Sequence, residues 1–292
     1  MVKKNTVSLV ILILGAMLWG NILQSRHEAS AKEKRELDVP YEPTTHGIAE
    51  EMLKMAKVTS RDLVYDLGCG DGRIVIMAAK ERGAKGVGVD MDADRIRESR
   101  ENAERAGVTQ LVRFCEQNLF ETNISDATVV MLYLWPEVNL KLRPRLLKEL
   151  KPGTRVVSHS HTMGEWADDA TREVEGHTLH FFVIPANVSG RWYWVGPEGK
   201  RYSLQLAQKF QKVKGSITIG EETFPITNCS LQGSNLSFSV ERNWPGAQET
   251  LSFQGTILAN TIDGRIMQGG SGSAVRRWQA AREASSIAPI AE

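Results

Sequence analysis

The sequence predicts an α/β fold, a mostly parallel sheet with helices on both faces, followed by a small all-β domain built as a barrel or a sandwich. Two observations predict it. From Val39 to Gly196 short apolar runs alternate with amphipathic segments of helical period, the pattern of strand–helix units in a covered parallel sheet. From about Lys200 the period falls to two: Tyr202, Leu204 and Leu206, then Leu236, Phe238 and Val240, then Leu251 and Phe253. Gly215, Gly220, Gly233, Gly246, Gly255 and Gly264 punctuate these runs, as turns do between short antiparallel strands.

The elements follow in order. Residues 1–38 read as a membrane anchor or signal segment with a linker: Lys3 and Lys4 precede a charge-free run over residues 6–24, and a Lys-, Arg- and Glu-rich stretch follows it. Residues 39–196 form the α/β domain. Strands are expected at Leu63–Asp66, Gly86–Asp90, Leu111–Cys115, Ala127–Leu134 and Arg155–His159. Helices are expected at Arg73–Arg82, Ala93–Ala106 and Leu140–Leu150, the last stopped by Lys151-Pro152-Gly153. His177–Pro185 and Arg191–Val195 read as a closing strand pair. Residues 197–283 are the β domain, expected to fold separately with a protease-sensitive join near Gly196–Lys200. Its last run, Ala274–Arg282, suits a strand or a helix. Residues 284–292 read as a disordered tail.

Composition limits the function classes. Of 292 residues, 41% are hydrophobic and 24% charged, enough apolar mass for two packed domains. The net charge is +1, and residues 40–196 are net acidic, so no nucleic-acid partner is expected. Cys69, Cys115 and Cys229 are too scattered for a disulfide framework or a zinc site, and no metal is expected.

The chemistry is carried by Val64-Tyr65-Asp66-Leu67-Gly68-Cys69-Gly70-Asp71-Gly72-Arg73, where the first strand runs into a helix. Glycines there let the backbone turn sharply and let a ligand approach it closely. The spacing is G-x-G-x-G rather than the G-x-G-x-x-G of a dinucleotide site. A ligand without a pyrophosphate fits, and S-adenosyl-L-methionine is one. Asp66 places an anion near its methionine ammonium. Asp90 ends the second strand about 20 residues further on, where a carboxylate accepts from both ribose hydroxyls. Asn118 follows the third strand, where an amide oxygen can accept from an adenine amino group. Gly68, Cys69, Gly70, Met91 and Leu119 complete the expected cofactor contacts.

At these residues the sequence resembles class I methyltransferases, which have a Rossmann-like sheet. More narrowly it is similar to the lysine methyltransferase family that includes the adenine nucleotide translocase and ATP synthase c-subunit enzymes. Val39-Pro40-Tyr41-Glu42-Pro43-Thr44 matches that family's pre-motif. Leu132-Tyr133-Leu134-Trp135-Pro136-Glu137-Val138 and Pro152-Gly153-Thr154-Arg155-Val156-Val157-Ser158 extend the likeness over about residues 39–167. The resemblance implies that the pre-motif closes over cofactor and substrate, with Tyr41 on the cofactor side and Pro43 on the substrate side. It implies a protein substrate with an accessible lysine. The β domain lies outside the resemblance.

The loop after the fourth strand sits where the transferred methyl should point. Tyr133 and Glu137 are its candidate catalytic residues, Glu137 to hold the incoming amine. Trp135 and Pro136 are placed to shape the channel. Ser158-His159-Ser160-His161 reads as a solvated loop. Two other functions suit the same residues: a small-molecule methyltransferase, and a catalytically silent cofactor-binding module whose β domain binds a ligand or partner. The Lys and Arg flanking residues 6–24 are nearly balanced, and an uncleaved anchor with the catalytic domain in the cytoplasm is expected. The alternative is export after cleavage near Ala31, in Ala29-Ser30-Ala31.

Overall fold

The computed structural model describes residues 42–196, 199–244, 247–269 and 275–291. The anchor at residues 6–24, the linker and Tyr41 lie outside them. Among the described residues no helix is long and apolar enough to cross a membrane.

The first element is a helix, α1 (His46–Met55), that sequence reading missed. The Thr45 hydroxyl caps it by accepting from the Ile48 N–H at 3.2 Å. Ile48, Ala49, Met52 and Leu53 form its buried stripe. Then come β1 (Leu63–Leu67), α2 (Arg73–Arg82), β2 (Lys85–Asp90), α3 (Ala93–Ala106), β3 (Val112–Glu116), β4 (Val129–Leu132), α4 (Pro136–Glu149), β5 (Arg155–His159), β6 (Ala170–Val174) and β7 (His177–Val183). They build a seven-stranded sheet in the order β3-β2-β1-β4-β5-β7-β6. β1 to β5 are parallel, and β7 runs antiparallel to both β5 and β6. This is the Rossmann-like sheet expected of class I methyltransferases. α1, α2 and α3 cover one face, against Val64, Met131 and Val157. α4 covers the other, with Val138, Leu142 and Leu146 against Leu67, Val130 and Leu132.

The second part is a closed antiparallel barrel of eight strands: β8 (Gly190–Val195), β9 (Arg201–Lys209), β10 (Lys212–Ile219), β11 (Glu222–Gln232), β12 (Asn235–Trp244), β13 (Ala247–Leu258), β14 (Thr261–Gln268) and β15 (Val275–Arg282). Closure removes every sheet edge. The interior is filled by Trp192, Trp194, Phe238, Phe253 and Trp278 with aliphatic neighbours, an apolar core. Gly255 and Gly264 face each other across β13 and β14 and leave room for the Trp278 indole. A Cβ on Gly264 would lie 2.5 Å from its Nε1.

Three expectations are corrected here. Arg191–Val195 belongs to the barrel, as β8 between β9 and β15, because Trp192 and Trp194 point into the barrel core. The closing pair of the sheet is β6 and β7, so the boundary falls between Val183 and Gly190 rather than at residue 196. Residues 284–291 are held, not a free tail. Ala284–Ser286 is a 3-10 turn, the Arg191 N–H donates to Ser286 Oγ, Asn187 donates to the Ala288 carbonyl, and the Phe210 N–H donates to the Ala291 carbonyl.

The barrel also does not stand apart from the sheet. Phe210, in the turn between β9 and β10, is buried in the α4-side core, parallel to Trp166 with centroids 6.2 Å apart. Its φ of 51° is unfavourable for a bulky residue, so tertiary packing decides this turn. The Arg143 guanidinium lies 5.1 Å over the ring, and Gln211 donates to the Ala167 carbonyl. Phe210→Ala should therefore cost about 3–5 kcal/mol. Denaturant unfolding followed by near-ultraviolet circular dichroism should show one transition, moved to lower denaturant. Two transitions in the wild type would restore an independent barrel.

Candidate active site

The site lies at the carboxyl edge of the parallel strands. β1 turns into α2 through Gly68, Gly70 and Gly72, with φ of 86°, 52° and 79°. A side chain at Gly68 would also meet Leu134, whose Cδ2 lies 2.9 Å from the position of a Cβ. The Gly68 and Cys69 N–H groups both donate to the Val89 carbonyl, which ties the turn to β2. Asp90 Oδ2 accepts from the Gly70 N–H at 2.9 Å and Oδ1 from the Asp92 N–H at 2.9 Å. Asp90 thus shapes the glycine turn besides facing the same edge. Met91 follows it, partly exposed.

Asp66 is buried in β1, between Gly88 and Met131. Burial, with Asp90 and Asp71 beside it, pushes its carboxyl up to about 8. Cys69 is buried too; burial and the Asp66 charge raise its thiol well above the usual range. Burial works to raise Asp71, but the Arg73 hydrogen bonds and charge outweigh it and hold Asp71 below the ordinary carboxylate range. Asn118 Oδ1 accepts from the Phe120 N–H at 2.9 Å, closing a turn after β3. One lone pair of that oxygen is therefore committed locally. Leu119 is buried, and its carbonyl accepts from Arg145.

Next along the edge, Tyr133 follows β4 and stacks on His159, ring centroids 3.8 Å apart. Burial, and then a hydrogen bond and charge from Glu42, raise the Tyr133 phenol. His161 lies parallel to Tyr133 at 6.4 Å. Burial lowers the His161 ring, against the carboxylates of Glu137 and Glu42. Pro43 is exposed just before Thr44, and Trp135, Pro136 and Glu137 are exposed at the start of α4. Trp135, at 49% exposure, is a large apolar side chain left open beside the site.

The segment before α1 is fastened to this edge at three points. Arg73 clasps Asp71 and donates to the Thr44 carbonyl at 2.8 Å. Thr44 Oγ1 lies 3.1 Å from His159 Nδ1. The Thr45 hydroxyl donates to Glu175 Oε2 at 2.6 Å. Among the described residues no cluster of three or more His, Cys, Asp or Glu is placed to hold a metal ion.

A family model described as the ANTKMT methyltransferase domain matches residues 66–170, which span the glycine turn, Tyr133 and His159. A relative from Saccharolobus islandicus named protein-lysine N-methyltransferase is 48% identical over 151 residues, covering 50% of this chain and 94% of that one. The chain belongs to the ANTKMT methyltransferase family. The adenine nucleotide translocase lysine N-methyltransferase of Mus musculus is 31% identical over 130 residues, covering 44% of this chain and 56% of that protein. A solved Salinibacter ruber structure, described as an RNA methyltransferase in complex with S-adenosyl-L-homocysteine, is 51% identical with a TM-score of 0.50, covering 50% of this chain and 96% of that one.

In this methyltransferase, the structure brings Asp66, Gly68, Gly70, Asp90 and Asn118 to one edge, with Tyr133 beside them. Sequence reading missed Thr44, Arg73 and His159. It also misread Ser158 and His159, which are buried and not part of a solvated loop. The signal was present: extending the alternation of β5 by two residues from Val157 puts His159 on the α1-side face. Asn139, fully buried, then draws the following loop inward by donating to Ser158 Oγ and to the His161 carbonyl.

Proposed function

We propose that this chain is an S-adenosyl-L-methionine-dependent methyltransferase whose acceptor is a protein lysine. The observation that carries it is the Tyr133 ring at the carboxyl edge, with Glu42 hydrogen-bonded to its hydroxyl and the Glu137 and Glu42 charges acting on the neighbouring His161. An amine arrives as a cation. An aromatic ring beside carboxylates attracts it, and the same charges oppose a phosphodiester. When bound, the cofactor supplies a methyl group on a sulfonium. The residues present fit it: three left-handed glycines, a buried carboxyl at Asp66 and the Asp90 carboxylate. Asp66 holds the ammonium, Asp90 accepts from the ribose, and Asn118 takes the adenine edge, with Met91 and Leu119 as apolar neighbours. Glu42 and Glu137 receive the cationic amine. One of these carboxylates takes its proton, to free the lone pair that would attack the methyl while the carbon–sulfur bond pair returns to sulfur. Tyr133 orients the amine, and Pro43, Trp135 and Pro136 shape its path. Alignment of amine and methyl supplies much of the rate.

The identity to a protein-lysine N-methyltransferase over 94% of its length supports this acceptor. The Salinibacter ruber structure, described as an RNA methyltransferase, favours a second reading, RNA. Lysate of the source organism, incubated with the full chain and tritiated cofactor, separates the two. Label in a protein band supports lysine. Label in RNA, or only in a small-molecule fraction, overturns it.

We place the catalytic domain in the cytoplasm behind an uncleaved anchor at residues 6–24, on the flanking charges and the need for a cytoplasmic cofactor. A fusion of alkaline phosphatase at Glu292 should be inactive. Activity there, or a mature N-terminus at Lys32, contradicts the anchored arrangement.

A further inference from the structure

We propose that His159, clamped by Thr44, is a positioning residue of the acceptor-amine subsite: it sets the Tyr133 ring against which the amine arrives. The inference rests on the lysine-methyltransferase reading above and assigns its acceptor side.

Four observations carry it. The His159 ring is 1% exposed and stacks on Tyr133 with an interplanar angle of 25°. Its Nδ1 meets Thr44 Oγ1 at 3.1 Å, and Thr44 is itself buried and held at its carbonyl by Arg73. His177 stands edge-on to His159 at 4.8 Å, steadied by Ser160 Oγ at 3.0 Å from its Nδ1. Among the described residues His159 Nε2 is buried with no hydrogen-bond partner.

Tyr133 is thereby held twice by one short segment. Glu42 takes its hydroxyl, and Thr44 reaches its face through His159. Residues 42–44 and the Tyr133 ring are thus fastened together at the sheet edge. Charge fits the role as well. Burial, with His177 and His161 beside it, lowers the His159 ring to about 4, so it is neutral at physiological pH. A neutral brace neither repels an ammonium nor competes with it for Glu42 and Glu137. A lysine or arginine at this position would do both.

The test measures binding of two probes to the full chain by calorimetry. One is S-adenosyl-L-homocysteine. The other is its aza analogue, with an aminoalkyl chain on the nitrogen that replaces sulfur, long enough to reach the acceptor position. The replacement of sulfur by nitrogen is common to wild type and variants, so a change in the ratio of the two affinities between them reports the acceptor subsite. In the wild type the aminoalkyl probe should bind on the order of 100-fold tighter. His159→Phe keeps the stack and removes both nitrogens. Thr44→Val removes the same hydrogen bond from the other side and leaves the strand untouched. Each should erase most of the ratio while S-adenosyl-L-homocysteine affinity stays within about twofold, and the double variant should lose no more than either single one. A ratio kept in both variants overturns the proposal. So does a parallel fall in both affinities, which would mark a structural role. A wild type that binds S-adenosyl-L-homocysteine but gains nothing from the chain overturns the lysine reading itself.

Discussion

Asp90→Ala should lower affinity for S-adenosyl-L-methionine on the order of 100-fold or more, since it removes charge-assisted hydrogen bonds worth about 1.5–3 kcal/mol each. Its place at the end of the second strand, where a carboxylate accepts from both ribose hydroxyls, gives the direct loss. The structure adds one reason for a larger loss. Asp90 accepts from the Gly70 and Asp92 N–H groups, so its removal also releases the glycine turn that approaches the ligand. Asp90→Asn retains one acceptor oxygen and should fall between the two. Thermal unfolding should show a drop of about 1–3 kcal/mol for the alanine variant, the loss of those backbone partners. Wild-type calorimetric affinity in Asp90→Ala would remove Asp90 from the site.

Cofactor binding should release a proton, and its affinity should rise with pH. Buried beside Asp90 and Asp71, Asp66 holds its proton up to about pH 8. An ammonium against it favours the ionised form, so binding near neutrality expels that proton. Below the raised value the affinity should climb about tenfold per pH unit and flatten above it. Calorimetry in buffers of different ionisation enthalpy should report close to one proton released at pH 7. The unliganded protein should behave in the opposite sense. A carboxyl raised on folding stabilises fully below its unfolded value and loses that contribution as pH rises towards 8. His159, lowered on folding, gains its contribution between about 4 and 6.5 and is constant above. The melting temperature without ligand should therefore fall from pH 6.5 to 8, and bound cofactor should flatten the slope. Asp66→Asn should bind more weakly with no pH dependence. An affinity independent of pH in the wild type would place the ammonium elsewhere.

What was legible in the sequence was what local pattern dictates. The α2 and α3 spans are as expected because glycines stop both, Gly83 and Gly107 each in the left-handed region. β6 was missed because an exposed edge strand, Ala-Thr-Arg-Glu-Val, shows no apolar alternation. α4 begins at Pro136, four residues earlier than Leu140, because Pro at the first turn reads as a break although it suits that position. The assignment of β8 failed for a different reason. Alternation in Gly190–Val195 is genuine, but which sheet it joins depends on pairing with β9 and β15, partners distant in sequence or supplied after a turn. The same holds for the site. Asp66, Asp90 and Asn118 fall at strand ends by spacing alone. The Thr44–His159 contact joins residues more than a hundred positions apart with no shared pattern, and Tyr133 meets them only through the fold.

The central claim is methyl transfer to a lysine amine, and amino-acid analysis tests it most directly. Protein labelled by the full chain and tritiated S-adenosyl-L-methionine is hydrolysed in acid and resolved by cation exchange. The account predicts label co-eluting with Nε-methylated lysine, absent from an Asp90→Ala reaction. Label in methylarginine, in base-labile methyl esters, or in RNA with none in lysine would contradict it.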